Sequence, residues 1–316
     1  MAGDTAAGLA REVLDRAVQE ARQCEDGAPA SYIPELAQAP VEATSAAIEL
    51  VGGELVVAGD ASWHHFTLQS AAKLILLAGL LEERGEERVF SLVGTEPSGS
   101  GFASLARLEM DSPTPANPLI NAGAIALCGL LEGHLEDRLG WLDRWVERVC
   151  GVVLPVNQRV LVSERRTGDR NRAIAYFLRH SNVLRGDVDE VLETYFSLCS
   201  LEASVREGAR LAAVMAAGGL TPGGARVLSS RTASIVTALM ATCGMYDESG
   251  RHLVETGLPA KSGVSGVIVA VAPGRGGVAV ASPRINHRGG SVRGHIMLRR
   301  ISAELGWHLA LPPRHI

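Results

Sequence analysis

Lysine is almost missing from this chain of 316 residues. Of its 30 basic residues, 28 are arginine, and only Lys73 and Lys261 are lysine. A positive excess is missing too. The 35 acidic residues leave a formal charge of −5, which argues against a general nucleic-acid binder. No apolar run is long enough for a membrane span: Leu74–Leu81 is a short piece of helix, and the stretch after Val264 is cut by Pro273, Arg275 and glycines. The N-terminus has early acids and no hydrophobic signal core, so neither a signal peptide nor a transit peptide is expected. The five cysteines are odd in number, scattered, and form no C-x-x-C. That excludes a disulfide framework or a cysteine zinc site and leads to the expectation of a reducing cytoplasm.

Several motifs are absent as well. Ala260 stands at the glycine position that a phosphate-binding loop would need before Lys261-Ser262. Residues 263–267 are one residue off a nucleophile elbow. There is no H-E-x-x-H, and the adjacent His64 and His65 would point opposite ways on a strand. No cofactor and no metal are expected.

What remains is an ordinary globular composition, 47% hydrophobic and 21% charged, long enough for one large core. Apolar spacing predicts a helix over 5–24, a hairpin over 45–58 around Gly52-Gly53, and a helix from Ser70 to Glu83. Mostly helical pattern follows to about 220, then a helix over 229–243, a β-hairpin after Val264 and a last helix over 291–305. Strands at both ends with helices between predict an α/β (α+β) fold. The antiparallel sheet is built from 1–69 and 225–316, with a helical subdomain at 70–224.

The two lysines are where chemistry is expected, because a buried lysine can lose its proton and an arginine cannot. Lys73 lies three residues after Ser70, nearly one helical turn, so its amine can return to the serine oxygen. The helix start also aims N–H groups at that point, an arrangement suited to acyl transfer. The plainer alternative is an N-cap serine and a surface lysine. Lys261-Ser262-Gly263 is similar to the K-T-G strand-edge motif of penicillin-recognising serine enzymes, whose positive charge lowers the partner lysine's pKa; alone it reads better as a strand-start lysine with a Ser-Gly turn.

Longer runs join these motifs. They are Tyr32-Ile33-Pro34-Glu35-Leu36-Ala37, FTLQSAAK at 66–73, EPSG at 96–99, NPLINAGAI at 117–125 and SERRTGDRNRAIAYF at 163–177. YFSLCS at 195–200, GMYD at 244–247, AKSGVSG at 260–266 and SPRINHRGGSVRG at 282–294 complete the set. Together they resemble the serine-dependent glutaminases of the β-lactamase-like fold along nearly the whole chain.

The resemblance implies hydrolysis of the L-glutamine side-chain amide to L-glutamate and ammonia through a glutamyl-seryl intermediate. It implies Ser70 as nucleophile, Lys73 as general base and Tyr246 as proton relay. The N–H groups of Ser70 and Val264 would form the oxyanion hole. It places Asn121, Glu164, Asn171 and Tyr195 on the amino-acid end of glutamine, Tyr32 over the site, and Lys261 with the substrate-binding group. A homo-oligomer, dimer or tetramer, is implied, with no nucleic-acid or membrane partner. Each residue has a plainer reading: Glu164 beside Arg165 and Arg166 as a surface ion pair, Asn121 and Asn171 as caps, and Tyr176 as core. Departures from the family pattern fall at Ala103, Ala116, Val267 and Gly290. A β-lactamase-like or peptidase-like hydrolase is the rival enzyme, and a non-catalytic glutamine sensor the rival from another class.

Overall fold

The structure is a computed structural model that describes residues 2–98 and 112–311. The helices, among the described residues, are α1 (Ala2–Arg22), α2 (Pro34–Ala37), α3 (Lys73–Phe90), α4 (Asn121–Cys128), α5 (Leu135–Cys150) and α6 (Gln158–Thr167). They continue with α7 (Asp169–His180), α8 (Val188–Cys199), α9 (Val205–Ala216), α10 (Ser230–Cys243), α11 (Ser249–Thr256) and α12 (Val292–Leu305). The strands are β1 (Ser45–Leu50), β2 (Leu55–Gly59), β3 (Phe66–Thr67), β4 (Glu202–Ala203), β5 (Ala260–Ser262), β6 (Val267–Ala272) and β7 (Gly276–Ala281).

Five strands form one antiparallel sheet in the order β2-β1-β7-β6-β5. The N-terminal hairpin therefore pairs with the C-terminal hairpin through β1 and β7. Alternation sorts the strand side chains into two cores. Ala47, Val267, Val269, Val271, Ala279 and Ala281 join the core shared with the helical block. Ala46, Ile48, Ile268, Ala270, Val278 and Val280 join the core beneath α1 and α12. Both faces are covered, which is why β6 and β7 read as unbroken apolar runs.

Helix α9, which falls within the stretch 70–224, sits on the sheet itself against β1, β6 and β7. Across that contact the Arg210 guanidinium donates to the fully buried Glu49 carboxylate of β1 at 2.7 Å. Helix α5 packs on α3, α7 and α8 pack on α4, and α6 packs on α8 and α2.

The segment predicted as a helix from Ser70 differs in its first turn. Residues Gln69–Ala72 form a 3-10 turn, and the α-helix begins at Lys73. A 3-10 turn brings positions i and i+3 into line, so the tighter winding stacks Lys73 on Ser70. The helix also runs on to Phe90, with a break at Gly85 (φ +76°).

Candidate active site

Ser70, Lys73 and their neighbours come together where the first turn of the helical block meets the β5 edge of the sheet. The 3-10 turn buries both side chains, at 8% exposure for Ser70 and 1% for Lys73. The Lys73 Nζ lies 2.9 Å from the Ser70 Oγ and donates to the Asn121 Oδ1 at 2.7 Å. Asn121 opens α4, and its Nδ2 donates to the Asn171 Oδ1 at 3.0 Å. Burial pulls the Lys73 amine down to about 8, while Cys199 and Glu164 pull the other way. An amine near that value exchanges its proton in the neutral range, which a surface lysine does not.

Strand β5 supplies the opposite wall. Gly263 packs so closely on the start of the Gln69–Ala72 turn that a Cβ there would stand 2.5 Å from the Leu68 carbonyl oxygen. Its N–H donates to the Val267 carbonyl at 2.8 Å, and the Gly266 N–H donates to the Gly263 carbonyl at 2.9 Å. This tight turn carries Val264 to the cavity wall beside Ser70. Among the described residues, the N–H groups of Ser70 and Val264 have no acceptor within the protein.

Lys261 does not line the cavity. It is fully buried, donates to the carbonyls of Gly244 (3.1 Å) and Ser262 (2.8 Å), and lies 4.3 Å from the Tyr246 ring centre. Burial, and then the nearby Lys73, holds its pKa well below the usual lysine range. Its Nζ lies against the Tyr246 ring, and Tyr246, like Lys261, is not among the residues lining the cavity. The Tyr246 hydroxyl donates to the Ser262 carbonyl at 3.3 Å and hydrogen-bonds with Ser70. Burial pushes that phenol up to about 12, so it stays protonated.

The cavity above Ser70 has a volume of about 350 Å3. Tyr32, Asn121, Glu164, Asn171, Tyr195 and Val264 line it. Tyr32 is half exposed at the rim, whereas Tyr195 is buried. Glu164, on α6, is 7% exposed, and burial pushes its carboxyl up to about 7 against the opposing pull of Gln69 and Lys73. It forms no surface ion pair: its neighbour Arg165 turns outward to Glu193. Tyr176 is half exposed on α7 with Arg179 over its ring, so the expectation that it is core does not hold. The helical stripe there is carried by Ile174, Ala175 and Leu178 instead.

Five lining residues, Gln69, Thr167, Gly168, Arg170 and Cys199, were not among the site residues expected from the sequence. Gln69 is buried with φ +49°, and its side chain bonds Glu164 and the Thr67 hydroxyl. Only its place beside Ser70 in the 66–73 run hinted at this. Cys199 lies one helical turn after Tyr195, a spacing that puts both on one face of α8. Burial raises its thiol to about 12, so it is a neutral wall and not a nucleophile.

Of the departures, Val267 is buried at the start of β6 and packs against the Gly263 turn. Gly290 leaves room for the Glu248 carboxylate, which a Cβ would approach to 2.8 Å. The Ala116 carbonyl accepts from the Glu96 N–H, and Ala103 lies outside the described residues. The cavity thus joins a buried serine–lysine pair to a carboxylate and a set of amide and phenol donors.

Residues 27–309 match the family model described as Glutaminase. A glutaminase of Legionella pneumophila (strain Corby) is 48% identical over 305 residues, 96% of this chain and 98% of that one. Glutaminase 2 of Clostridium perfringens (strain 13 / Type A) is 40% identical over 300 residues, 93% of this chain and 98% of that one. Among solved structures, the probable glutaminase ybaS superposes with a TM-score of 0.93 at 34% identity, covering 96% of this chain and 99% of that one. Mglu in its glutamate form superposes with a TM-score of 0.90 at 36% identity, covering 96% and 70%.

Proposed function

This chain belongs to the glutaminase family and hydrolyses the side-chain amide of L-glutamine to L-glutamate and ammonia; we propose that it does so through a covalent glutamyl ester on Ser70. Its fold is the β-lactamase-like one of that family. The observation that carries the proposal is the buried Lys73 amine 2.9 Å from the hydroxyl of Ser70, a residue that lines a cavity together with Glu164.

In this reading the glutamine ammonium faces the Glu164 carboxylate. The glutamine carboxylate faces the amides of Asn121 and Asn171 and the Tyr195 phenol. Neutral Lys73 keeps one N–H on the Asn121 oxygen, which aims its lone pair at Ser70. It takes the hydroxyl proton as Oγ attacks the amide carbon. The oxygen that gains charge lies between the N–H groups of Ser70 and Val264; one such donor is typically worth about 3 kcal/mol. The proton held by Lys73, passed along the Tyr246 phenol, goes to the departing nitrogen, and ammonia leaves. Water then adds to the ester, Lys73 accepts its proton, and glutamate and the free serine are restored. Lys261 acts through Tyr246 and has no contact with glutamine.

Ser70→Ala is expected to lower ammonia release by roughly a thousandfold or more. Release at the native rate from that variant overturns the nucleophile. The same reading has the enzyme act as a homo-oligomer in the cytoplasm, where its five free cysteines stay reduced. Among the described residues, no helix is long and apolar enough to cross a membrane.

A further inference from the structure

Tyr246 has φ +53°, in the left-handed region that bulky side chains rarely enter. Such a conformation persists only where its surroundings over-determine it. Upstream, Gly244 is pinned to β5. Its carbonyl accepts from the Ser262 N–H at 3.3 Å and from the Lys261 Nζ at 3.1 Å. A Cβ at Gly244 would overlap the Ala260 carbonyl oxygen at 1.8 Å. Downstream stands Ser249, the first residue of α11 and 6% exposed. Its Oγ accepts the Met245 N–H at 3.0 Å and donates to the Tyr246 carbonyl at 3.0 Å. One hydroxyl thus ties together the two peptide groups that flank the Met245–Tyr246 pair.

This is not helix capping. A capping serine accepts from N–H groups two or three residues ahead, whereas Ser249 bonds backwards to 245 and 246. At the tip of the same residue, the phenol meets Ser70 and the Ser262 carbonyl.

We infer that Ser249 is a positioning residue for the reaction: its hydroxyl locks the left-handed turn at Tyr246 that delivers the phenol to Ser70. The inference rests on the reading of Tyr246 as proton relay. Its readout is kcat, because Ser249 is outside the set of residues lining the cavity where glutamine is bound.

The test is a double-mutant cycle of Ser249→Ala with Tyr246→Phe, following ammonia release under saturating and limiting glutamine. Ser249→Ala is expected to lower kcat about tenfold with KM within about twofold of native. Ser249→Thr, which keeps the hydroxyl, should restore most of kcat. In the Tyr246→Phe chain, already slowed about a hundredfold or more, Ser249→Ala should cost nothing further. If Ser249→Ala does not fold, Ser249→Cys, close in size and a weaker hydrogen-bonding group, takes its place in the same cycle.

A slow Tyr246→Phe chain in which the Ser249 substitution is as damaging as in the native chain overturns the positioning role and leaves Tyr246 as relay. So does a change confined to KM or to melting temperature. A Tyr246→Phe chain with native kcat overturns both.

Discussion

Lys73 and Glu164 carry opposite charges when ionised, yet burial moves each towards its neutral form, to about 8 and about 7. The proposed chemistry needs Lys73 without its proton and Glu164 without its own, so both requirements are met on raising pH. A free-enzyme parameter senses both groups. Once glutamine is bound, its ammonium holds Glu164 ionised, and kcat senses Lys73 alone. The expected outcome is that kcat/KM climbs with two ionisations, near 7 and near 8, while kcat climbs with the upper one only. Rate profiles in a series of buffers check this, and a flat response between about pH 6 and 9 contradicts a lysine base. At this scale Ser70 and Lys73 stood out because one of only two lysines follows a serine by three residues, whereas Glu164 and the asparagines were expected only through the family resemblance. Gln69 was not, since its role depends on a left-handed backbone that no periodicity announces. Tyr176 misled, because helical spacing does not say which neighbour stops short of covering a ring.

The element that decides the geometry is the crossing of α10 over the end of β5. Gly244, directly after α10, leaves no space for a methyl group: a Cβ would meet the Ala260 oxygen at 1.8 Å and the Met240 oxygen at 2.6 Å. Gly250, inside α11, would meet nothing within 4 Å. Gly244→Ala is therefore expected to cost about 1–3 kcal/mol or more of stability and to slow turnover, because Tyr246 follows two residues later. Gly250→Ala should be neutral or stabilising by about 0.5–1 kcal/mol. Denaturant midpoints of the two variants separate these outcomes. The hairpins and most helices were readable from alternation and from three- and four-residue spacing. The two-residue strand β4 and the 3-10 turn were not, being too short to carry a period. The stretch 99–111, with Ala103 in it, lies outside the described residues.

For the molecule as a whole, two cores share one sheet, and the charged contact between Glu49 and Arg210 bridges β1 to α9. Arg210 is about one-third exposed at its side chain and Glu49 fully covered, so losing the cation strands a carboxylate away from water. Arg210→Met is expected to cost about 3–5 kcal/mol, and pairing it with Glu49→Leu should recover most of that. Thermal unfolding of the single and double variants measures the difference. The pairing of N- and C-terminal hairpins followed from strand-like segments at both ends of the sequence. The seat of α9 on the sheet did not, because an amphipathic stripe does not name its partner. The turn bearing Val264 touches Leu68 across the seam between sheet and helices. In the proposed reaction, the nucleophile Ser70 and one of the two anion-stabilising donors, the Val264 N–H, therefore ride on different slabs of the protein. A slip of an ångström along that boundary would disarm the enzyme without melting either slab, so catalytic competence works as a gauge of their alignment.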